Sequence, residues 1–139
     1  MSTESHKSAV RRYCEELFTD GRLEVADDVL ADSFIFNGPF GTIRGRDEFK
    51  RFVTMLREAF DDFRMTDELD IAEDDMVASR FVMSGTHNGN YHGIPGTGNP
   101  MSVSGIDIFR FSGGKISEVR AVIDSLKMMQ QLGVVAVQG

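Results

Sequence analysis

Apolar residues recur at helical spacing in the first part of the chain and predict three helices separated by short connections. The first helix is predicted over roughly residues 4 to 19, before Gly21, whose missing Cβ suits a left-handed C-terminal turn. Between the second and third helices, Phe34-Ile35-Phe36 predicts a short strand that ends at the turn Asn37-Gly38-Pro39. The apolar positions that define the helices are Val10, Tyr13, Cys14, Leu17 and Phe18; Leu23, Ala26, Val29 and Leu30; and Phe49, Phe52, Val53, Leu56 and Phe60.

The period of the apolar residues changes to two near Phe63, and this change predicts long antiparallel strands in the second half of the chain. Three helices that cover one face of a curved antiparallel sheet form an α+β domain with the shape of a cone. We predict a single domain over residues 1–139, with a ligand cavity between the helices and the concave face. The alternating positions are Phe63, Met65, Leu69 and Ile71; Val77, Ser79, Phe81 and Met83; Val103, Gly105, Asp107 and Phe109; and a last strand over residues 116–123.

Charge and composition exclude several classes of partner. The net charge is −7, and acidic clusters such as Glu73-Asp74-Asp75 repel phosphate backbones, so nucleic acid is not an expected partner. The acidic triplet is typical of a solvated hairpin tip, and we predict no metal. No apolar run approaches the ~18 residues that span a bilayer, and residues 1–7 contain no apolar export segment, so we expect no membrane contact and a cytoplasmic location. The single cysteine, Cys14, is expected to be a buried hydrophobic residue.

A polar, glycine-rich segment, Gly85–Gly98, lies between two predicted strands and holds two of the three histidines. Its backbone must turn sharply, and its polar groups need partners or water. The segment is therefore either a plain connection or the rim of a site. His87 is in phase with the apolar positions of its strand, so it either polarises a substrate carbonyl or donates a structural hydrogen bond to the loop. Tyr91 and His92 lie in the part that would close a cavity mouth.

Several short motifs follow one another in order along nearly the whole chain. They are Gly85-Thr86-His87-x-Gly89, the segment Gly93–Gly98, the segment Gly105–Phe111, then Gly114-Lys115-Ile116-x-Glu118, Asp124 and the segment Gln130–Gly133. In this order the chain resembles the SnoaL-like polyketide cyclases, a family of the nuclear-transport-factor-2-like, or cystatin-like, superfamily. The resemblance implies a dimeric cone-shaped domain that binds an apolar or polyketide-like small molecule. It also implies an intramolecular aldol condensation without a cofactor.

The resemblance also shows where this chain departs from the family pattern. Members carry an acid/base aspartate on the last strand, where this chain has Ala121, and a histidine on the preceding strand, where it has Asp107. A carboxylate is therefore expected near the centre of the site, but on a different strand. The usual second proline of the loop motif is replaced by Gly96. The candidate catalytic residues are Asp107 and His87.

Asp107 lies among apolar residues in a strand interior, where an unpaired carboxylate is costly to bury. One hypothesis is an acid/base role, because an apolar cavity raises the pKa of a carboxyl group that then donates or removes a proton beside a carbonyl. The other is a cross-strand ion pair with Arg120. A two-residue turn at Gly113-Gly114 puts Asp107 opposite Arg120, whereas a three-residue loop puts it opposite Val119 and on one face with Ala121. The resemblance favours the second register.

Four further residues are candidates for substrate binding: Tyr13, Asn37, His92 and Asp124. The Tyr13 hydroxyl reaches either the cavity or a backbone carbonyl. The Asn37 amide binds a ligand oxygen or stabilises its own turn. Asp124 matches a second acid of the family near the end of the last strand.

Three functions remain open at this point. The first is cyclisation or isomerisation by Asp107 next to a carbonyl, and the second is a non-catalytic ligand-binding or dimerisation domain. The third is a hydrolase of the limonene-epoxide type, which shares the cone and uses an Asp-Arg-Asp group; Asp107, Arg120 and Asp124 have the right residue types. A homodimer is expected, because Ile106, Val122 and their neighbours put apolar groups on a sheet face that the helices cannot cover.

Overall fold

The computed structural model describes residues 2–136 and confirms an α+β fold. The helices are α1 (Thr3–Arg12), which continues as a π-helical segment, π1 (Tyr13–Thr19), then α2 (Val25–Val29), α3 (Arg46–Ala59) and α4 (Ser125–Gln131). The strands are β1 (Leu30–Gly38), β2 (Gly41–Arg44), β3 (Phe60–Glu73), β4 (Met76–His87), β5 (Pro100–Ser112) and β6 (Lys115–Ile123). None of the helices in this described range is long and apolar enough to cross a membrane.

The three N-terminal helices lie where the apolar spacing predicts them, with α1 and π1 forming the long first helix. The sequence analysis missed β2 and α4. Both elements are short, and they carry little of the apolar pattern that identifies an element: β2 has no fully buried side chain, and α4 has only Met128.

The six strands form one sheet in the order β2-β1-β6-β5-β4-β3. All neighbouring strands are antiparallel except β1 and β6, which run parallel, so the sheet is mixed and not wholly antiparallel as predicted. Helix α3 carries the chain from β2 at one edge of the sheet to β3 at the other. The meander from β3 to β6 therefore ends beside β1. Apolar periodicity identifies a strand but does not specify its partner.

The first helix changes to π-helical hydrogen bonding at Tyr13, which widens it where it packs on the sheet. The buried residues of π1 form two adjacent pairs in the sequence, Tyr13-Cys14 and Leu17-Phe18. All four side chains therefore point toward the interior. The segment ends before Gly21, whose φ of 71° is the left-handed conformation that the sequence predicts there.

The register of β3 with β4 shifts twice, first between Asp61 and Arg64 and again between Asp67 and Leu69. Each shift marks a β-bulge, where one residue is inserted. Before the second bulge, Phe63 and Met65 are buried against the interior, whereas Leu69 and Ile71 after it are 55% and 64% exposed. These two apolar side chains therefore lie on the outer face of the sheet.

Phe49, on α3, is the centre of the aromatic core. It is fully buried, and five aromatic rings surround it with centroid distances of 5.0 to 5.8 Å. These rings belong to Tyr13, Phe18, Phe34, Phe36 and Phe52. Because they come from π1, β1 and α3 itself, Phe49 connects the helical layer to strand β1 of the sheet.

We predict that Phe49→Ala lowers the free energy of unfolding by roughly 3 to 5 kcal/mol, because it removes a buried ring that its neighbours cannot replace. Phe40→Ala is the matched control, since Phe40 is 58% exposed and its removal leaves no core cavity. Urea unfolding of both variants and the parent protein measures the two losses. Equal losses would contradict a central role for Phe49.

Candidate active site

A cavity of about 260 Å³ lies between the helices and the inner face of the sheet. Its walls come from π1, from α3 and from all six strands. Aromatic and methionine side chains form about half of the lining, among them Phe18, Phe36, Phe52, Met65, Phe81 and Met83. A mainly apolar space with a few polar groups is typical of a small-molecule site, and methionine adapts its shape to a ligand. The cavity predicted from the cone shape is therefore present.

Asp107 brings a carboxyl group to the wall of this cavity from β5, and only 2% of the residue is exposed. No residue in the range 2–136 donates a hydrogen bond to this carboxyl group or forms an ion pair with it. Burial, and to a smaller extent the charge of Asp67, raise the pKa of Asp107 from 3.8 to about 8. At neutral pH the carboxyl group therefore mostly holds its proton, and its carboxylate is a stronger base than an ordinary one.

The β5–β6 hairpin decides which residue faces Asp107, and neither expected register is observed. The turn has two residues, Gly113-Gly114, as in the first expectation. A β-bulge then leaves Ser117 unpaired and shifts the remaining register by one residue. Asp107 therefore lies opposite Ala121, which shares its face and also lines the cavity.

The expected ion pair between Asp107 and Arg120 is wrong, because the two side chains lie on opposite faces of the sheet. The Arg120 side chain is 71% exposed, and its Nε lies 3.5 Å from Glu118 Oε1. Asp124 is exposed as well, and its carboxylate accepts a hydrogen bond from the Lys127 backbone N–H at 3.1 Å, which caps α4. The three residues are therefore not assembled into the Asp-Arg-Asp group of a limonene-epoxide hydrolase.

Tyr13 is the second polar side chain deep in the cavity, and it is 1% exposed. Its ring lies edge-on to Phe109, with centroids 5.0 Å apart. Burial, followed by the charge of Asp107, raises the pKa of Tyr13 well above its usual value. Its hydroxyl therefore keeps its proton and is available as a hydrogen-bond donor to a ligand. Of the two destinations that the sequence left open for this hydroxyl, the cavity is favoured.

The glycine-rich segment forms the rim of the cavity, which is the second of the two roles expected for it. Tyr91 and His92 both line the opening. The His92 ring stacks on Phe40, from the turn between β1 and β2, with centroids 3.7 Å apart. Burial lowers the pKa of His92 and raises that of Tyr91 to about 12, so both groups are uncharged at neutral pH.

His87 is fully buried but does not line the cavity. Its Nδ1 lies 3.0 Å from Thr97 Oγ1, and its ring lies beside Phe60 at 5.3 Å. Its backbone N–H donates to the Asn99 carbonyl at 2.9 Å, and its carbonyl accepts from Gly98 N–H at 2.7 Å. These contacts fasten both ends of the glycine-rich segment. They favour the structural role over the polarisation of a substrate carbonyl.

Asn37 lies outside the cavity, on the outer face of the sheet. Its neighbours Phe36 and Gly38 both line the cavity, so the alternation of the strand directs Asn37 away from it. Its Oδ1 accepts a hydrogen bond from Thr42 Oγ1 at 3.0 Å, which stabilises the β1–β2 hairpin. The structure therefore favours the turn role for Asn37. Neither Asn37 nor Asp124 lines the cavity as a substrate-binding residue would.

Three of the six candidate residues therefore meet at the cavity: Asp107, Tyr13 and His92. The sequence analysis missed Glu48, which also lines it. Glu48 lies four residues before Phe52, so helical spacing places the two on one face and could have identified it. Among residues 2–136, no lysine or arginine lines the cavity. Because a buried anion needs a paired cation, this lining suits an uncharged ligand.

The raised pKa of Asp107 predicts that the protein loses stability as the pH rises. The unfolded chain ionises this group near pH 3.8, whereas the native state holds the proton up to about pH 8. The resulting stabilisation is complete below the lower value and is lost as the pH rises through the higher one. Asp107→Asn should therefore be more stable than the parent above pH 8, by on the order of a few kcal/mol. Urea unfolding of both proteins across this range tests it, and identical pH profiles would refute it.

Comparison with known proteins agrees with this geometry. The model of the SnoaL-like polyketide cyclase family matches residues 8–132. Aklanonic acid methyl ester cyclase DauD from Streptomyces sp. (strain C5) is 31% identical over 129 residues, which cover 89% of this chain and 79% of DauD. Aklanonic acid methyl ester cyclase DnrD from Streptomyces peucetius is 34% identical over 92 residues, covering 66% of this chain and 63% of DnrD. That second match spans just under two thirds of the relative's length.

A solved structure supports the same assignment at the level of the fold. TsrD from Streptomyces laurentii has a TM-score of 0.89 to this chain, over 97% of this chain and 99% of TsrD, with 23% sequence identity. The mixed sheet, the helices on one of its faces and the cavity between them are those of a nuclear-transport-factor-2-like fold. The family match over residues 8–132 and the identity to DauD show that the chain belongs to the SnoaL-like polyketide cyclase family.

Proposed function

We propose that this protein closes a ring in a polyketide-like substrate, or isomerises it, with Asp107 as the acid and base beside a substrate carbonyl and without a cofactor. The observation that carries the proposal is the Asp107 carboxyl group, which is buried, unpaired within residues 2–136 and exposed only to an apolar cavity. The two relatives named above are aklanonic acid methyl ester cyclases, and their similarity supports a ring-closing reaction.

In the proposed reaction, ionised Asp107 removes a proton from the carbon next to a substrate carbonyl. The enolate carbon then attacks a second carbonyl of the same molecule, so a carbon–carbon bond forms and the attacked C=O becomes an alkoxide. Protonated Asp107 returns the proton to this alkoxide and becomes a carboxylate again. The step consumes no co-reactant. Isomerisation would use the same first transfer and return the proton to a different atom.

The environment of Asp107 suits both halves of this cycle. A pKa of about 8 keeps the protonated and ionised forms populated near neutral pH, where a general acid and base is most effective. Tyr13 faces the same cavity and keeps its hydroxyl proton, so it would donate a hydrogen bond to the developing enolate or alkoxide oxygen. The methyl group of Ala121, opposite Asp107, leaves space at the position where the family resemblance places an aspartate.

The lining of the cavity restricts the substrate that we propose. Its walls are apolar, its ionisable residues include Glu48 and Asp107, and no lysine or arginine within residues 2–136 reaches it. A free carboxylate would meet like charge and no counter-ion, whereas an ester or a ketone would not. We therefore propose an uncharged polyketide ester or ketone. The methyl ester in the names of DauD and DnrD is consistent with this choice.

A second function, non-catalytic ligand binding, is favoured by one observation. The position at which the family resemblance expects the acid/base aspartate holds Ala121, which cannot transfer a proton. In that case Asp107 would only orient a ligand through a hydrogen bond from its protonated carboxyl group. Loss of Asp107 would then weaken binding without changing any reaction.

We predict that Asp107→Asn lowers the rate of cyclisation or isomerisation ~100-fold or more, because the amide keeps the shape of the side chain but cannot transfer the proton. The assay follows conversion of an aklanonic-acid-type methyl ester by chromatography, with binding of the same compound measured separately.

Asp124→Asn is the matched control, since it removes a carboxylate outside the cavity, and asparagine caps a helix as well as aspartate does. This control should keep the parent rate. If Asp107→Asn converts the compound as fast as the parent, the acid/base role is wrong. If the parent binds the compound tightly but never converts it, the non-catalytic function is supported instead.

We also propose that the chain forms a homodimer through the outer face of its sheet. Val122 is 65% exposed and Ile106 is 43% exposed on this face, and with Ile108 they line a shallow groove. The helices lie on the other side and cannot cover this surface, so pairing with a second copy would remove it from water.

The cytoplasmic location expected from the sequence stays a prediction, and fractionation of the producing cells would test it.

The proposed dimer makes a direct prediction for Val122→Arg. A charged side chain at the centre of an apolar interface should raise the dissociation constant at least ~10-fold, because its burial is unfavourable. Leu126→Arg is the control, since Leu126 is equally exposed, at 61%, but lies on α4. Light scattering over a dilution series measures both variants. A parent protein that is monomeric at micromolar concentration would refute the proposal.

A further inference from the structure

We propose that Asp67, which accepts a hydrogen bond from the buried Ser79 behind the cavity wall, is a positioning residue. It controls the pH at which Asp107 loses its proton. The consequence for catalysis rests on the acid/base function proposed for Asp107. The electrostatic coupling between the two carboxyl groups does not depend on that function. It can therefore be tested separately.

A row of paired residues connects the cavity to this second carboxyl group. Asp107 on β5 is the register partner of Ser79 on β4, and Ser79 is the register partner of Asp70 on β3. Ser79 is 1% exposed. Directly opposite residues on neighbouring strands point to the same face and lie close together. Asp107 is thus separated from the acidic residues of β3 by one small side chain.

The second β-bulge in β3 brings Asp67 to this row. The register shift between Asp67 and Leu69 adds a residue, and Ser79 Oγ donates a hydrogen bond to Asp67 Oδ1 at 3.0 Å. Without the extra residue, the pairing of β3 with β4 would put another side chain beside Ser79. The hydrogen bond holds the Asp67 carboxyl group on the opposite side of Ser79 from Asp107.

Asp70 is the neighbouring carboxyl group that acts on Asp67. The Oδ1 atom of Asp70 is buried and has no hydrogen-bond partner among residues 2–136, so it is open to a hydrogen bond from protonated Asp67. Two close carboxyl groups favour a protonated form in this way. Burial first, and then the hydrogen bond and charge of Asp70, raise the pKa of Asp67 to about 7. Asp67 therefore changes its charge just below the pH at which Asp107 does.

The other titratable groups around Asp107 do not replace the effect of the Asp67 charge on the pKa of Asp107. The titratable and charged side chains of the surrounding elements are His6 and Arg11 from α1; Tyr13, Cys14 and Glu15 from π1; Glu48 from α3; Asp67 and Asp70 from β3; and Tyr91 and His92 from the rim. Arg11 acts on Asp67, whose pKa it lowers. Tyr13 and Cys14 stay neutral because burial raises their pKa values. Asp67 is the charged group whose field raises the pKa of Asp107.

The two groups should therefore titrate in sequence. As the pH rises, Asp67 ionises first, and its negative charge then opposes ionisation of Asp107. Asp107 consequently keeps its proton to a higher pH than burial alone would cause. A neutral residue at position 67 removes the opposing charge, so Asp107 would lose its proton at a lower pH.

The test is a pH titration of the aspartate carboxyl carbons by NMR, with ¹³C-labelled aspartate and no substrate present. Asp107→Asn identifies the Asp107 signal by its absence. In Asp67→Asn the Asp107 midpoint should fall by about one pH unit or more, and the corresponding limb of the kcat/KM profile should move with it. Glu73→Gln is the control, because it removes an exposed charge from the same strand and should leave the midpoint unchanged.

Two further measurements keep the inference open to refutation if Asp67→Asn folds poorly. In the parent protein the Asp107 signal should show a second inflection at the Asp67 midpoint. In Asp70→Asn the Asp67 midpoint should fall, because the charge of Asp70 that raises the pKa of Asp67 is lost. An Asp107 curve with one inflection, or an unchanged midpoint in folded Asp67→Asn, would overturn the inference. An active Asp107→Asn variant would instead overturn the proposed function and leave the coupling standing.

Discussion

Asp107 is buried among aromatic rings without a cation, and ionising it there is far less favourable than in water. The fold leaves this side chain no alternative position, because β5 is an inner strand that pairs with β4 on one side and β6 on the other. Its two register partners, Ser79 and Ala121, are both small, so the carboxyl group meets the cavity instead of another large side chain. The raised pKa, the preference for uncharged ligands and the proposed proton transfers all follow from this placement.

Two β-bulges determine what surrounds that carboxyl group. The bulge in β6 puts Ala121 opposite Asp107 and directs Arg120 to the outer face, which removes the counter-ion that a regular two-residue hairpin would supply. The second bulge in β3 lies at Asp67, which hydrogen-bonds to Ser79, and is followed by the exposed Leu69. These two bulges thus leave Asp107 without a counter-ion and with a second acid behind it. Single-residue irregularities have this effect because side chains alternate between the faces of a strand.

The rim of the cavity and the strands that hold Asp107 are separate parts of the structure. His87 fastens both ends of the glycine-rich segment, while Tyr91 and His92 from the same segment meet Phe40 at the opening. The shape of the mouth can therefore vary without altering the strands that hold Asp107. A rim built on a loop over a rigid scaffold allows access to a site to change while the site itself is kept.

The sequence by itself determined the three N-terminal helices, the long strands and the burial of Asp107, because each depends on apolar periodicity over neighbouring residues. The order of the family motifs likewise identified the fold. It did not determine the parallel pairing of β1 with β6, the register of the β5–β6 hairpin or the roles of Asn37, Asp124 and Asp67. Those depend on which strands meet and where a residue is inserted, and a one-residue shift moves every later side chain to the other face. Only the tertiary structure decided them, since contacts distant in sequence leave no local pattern.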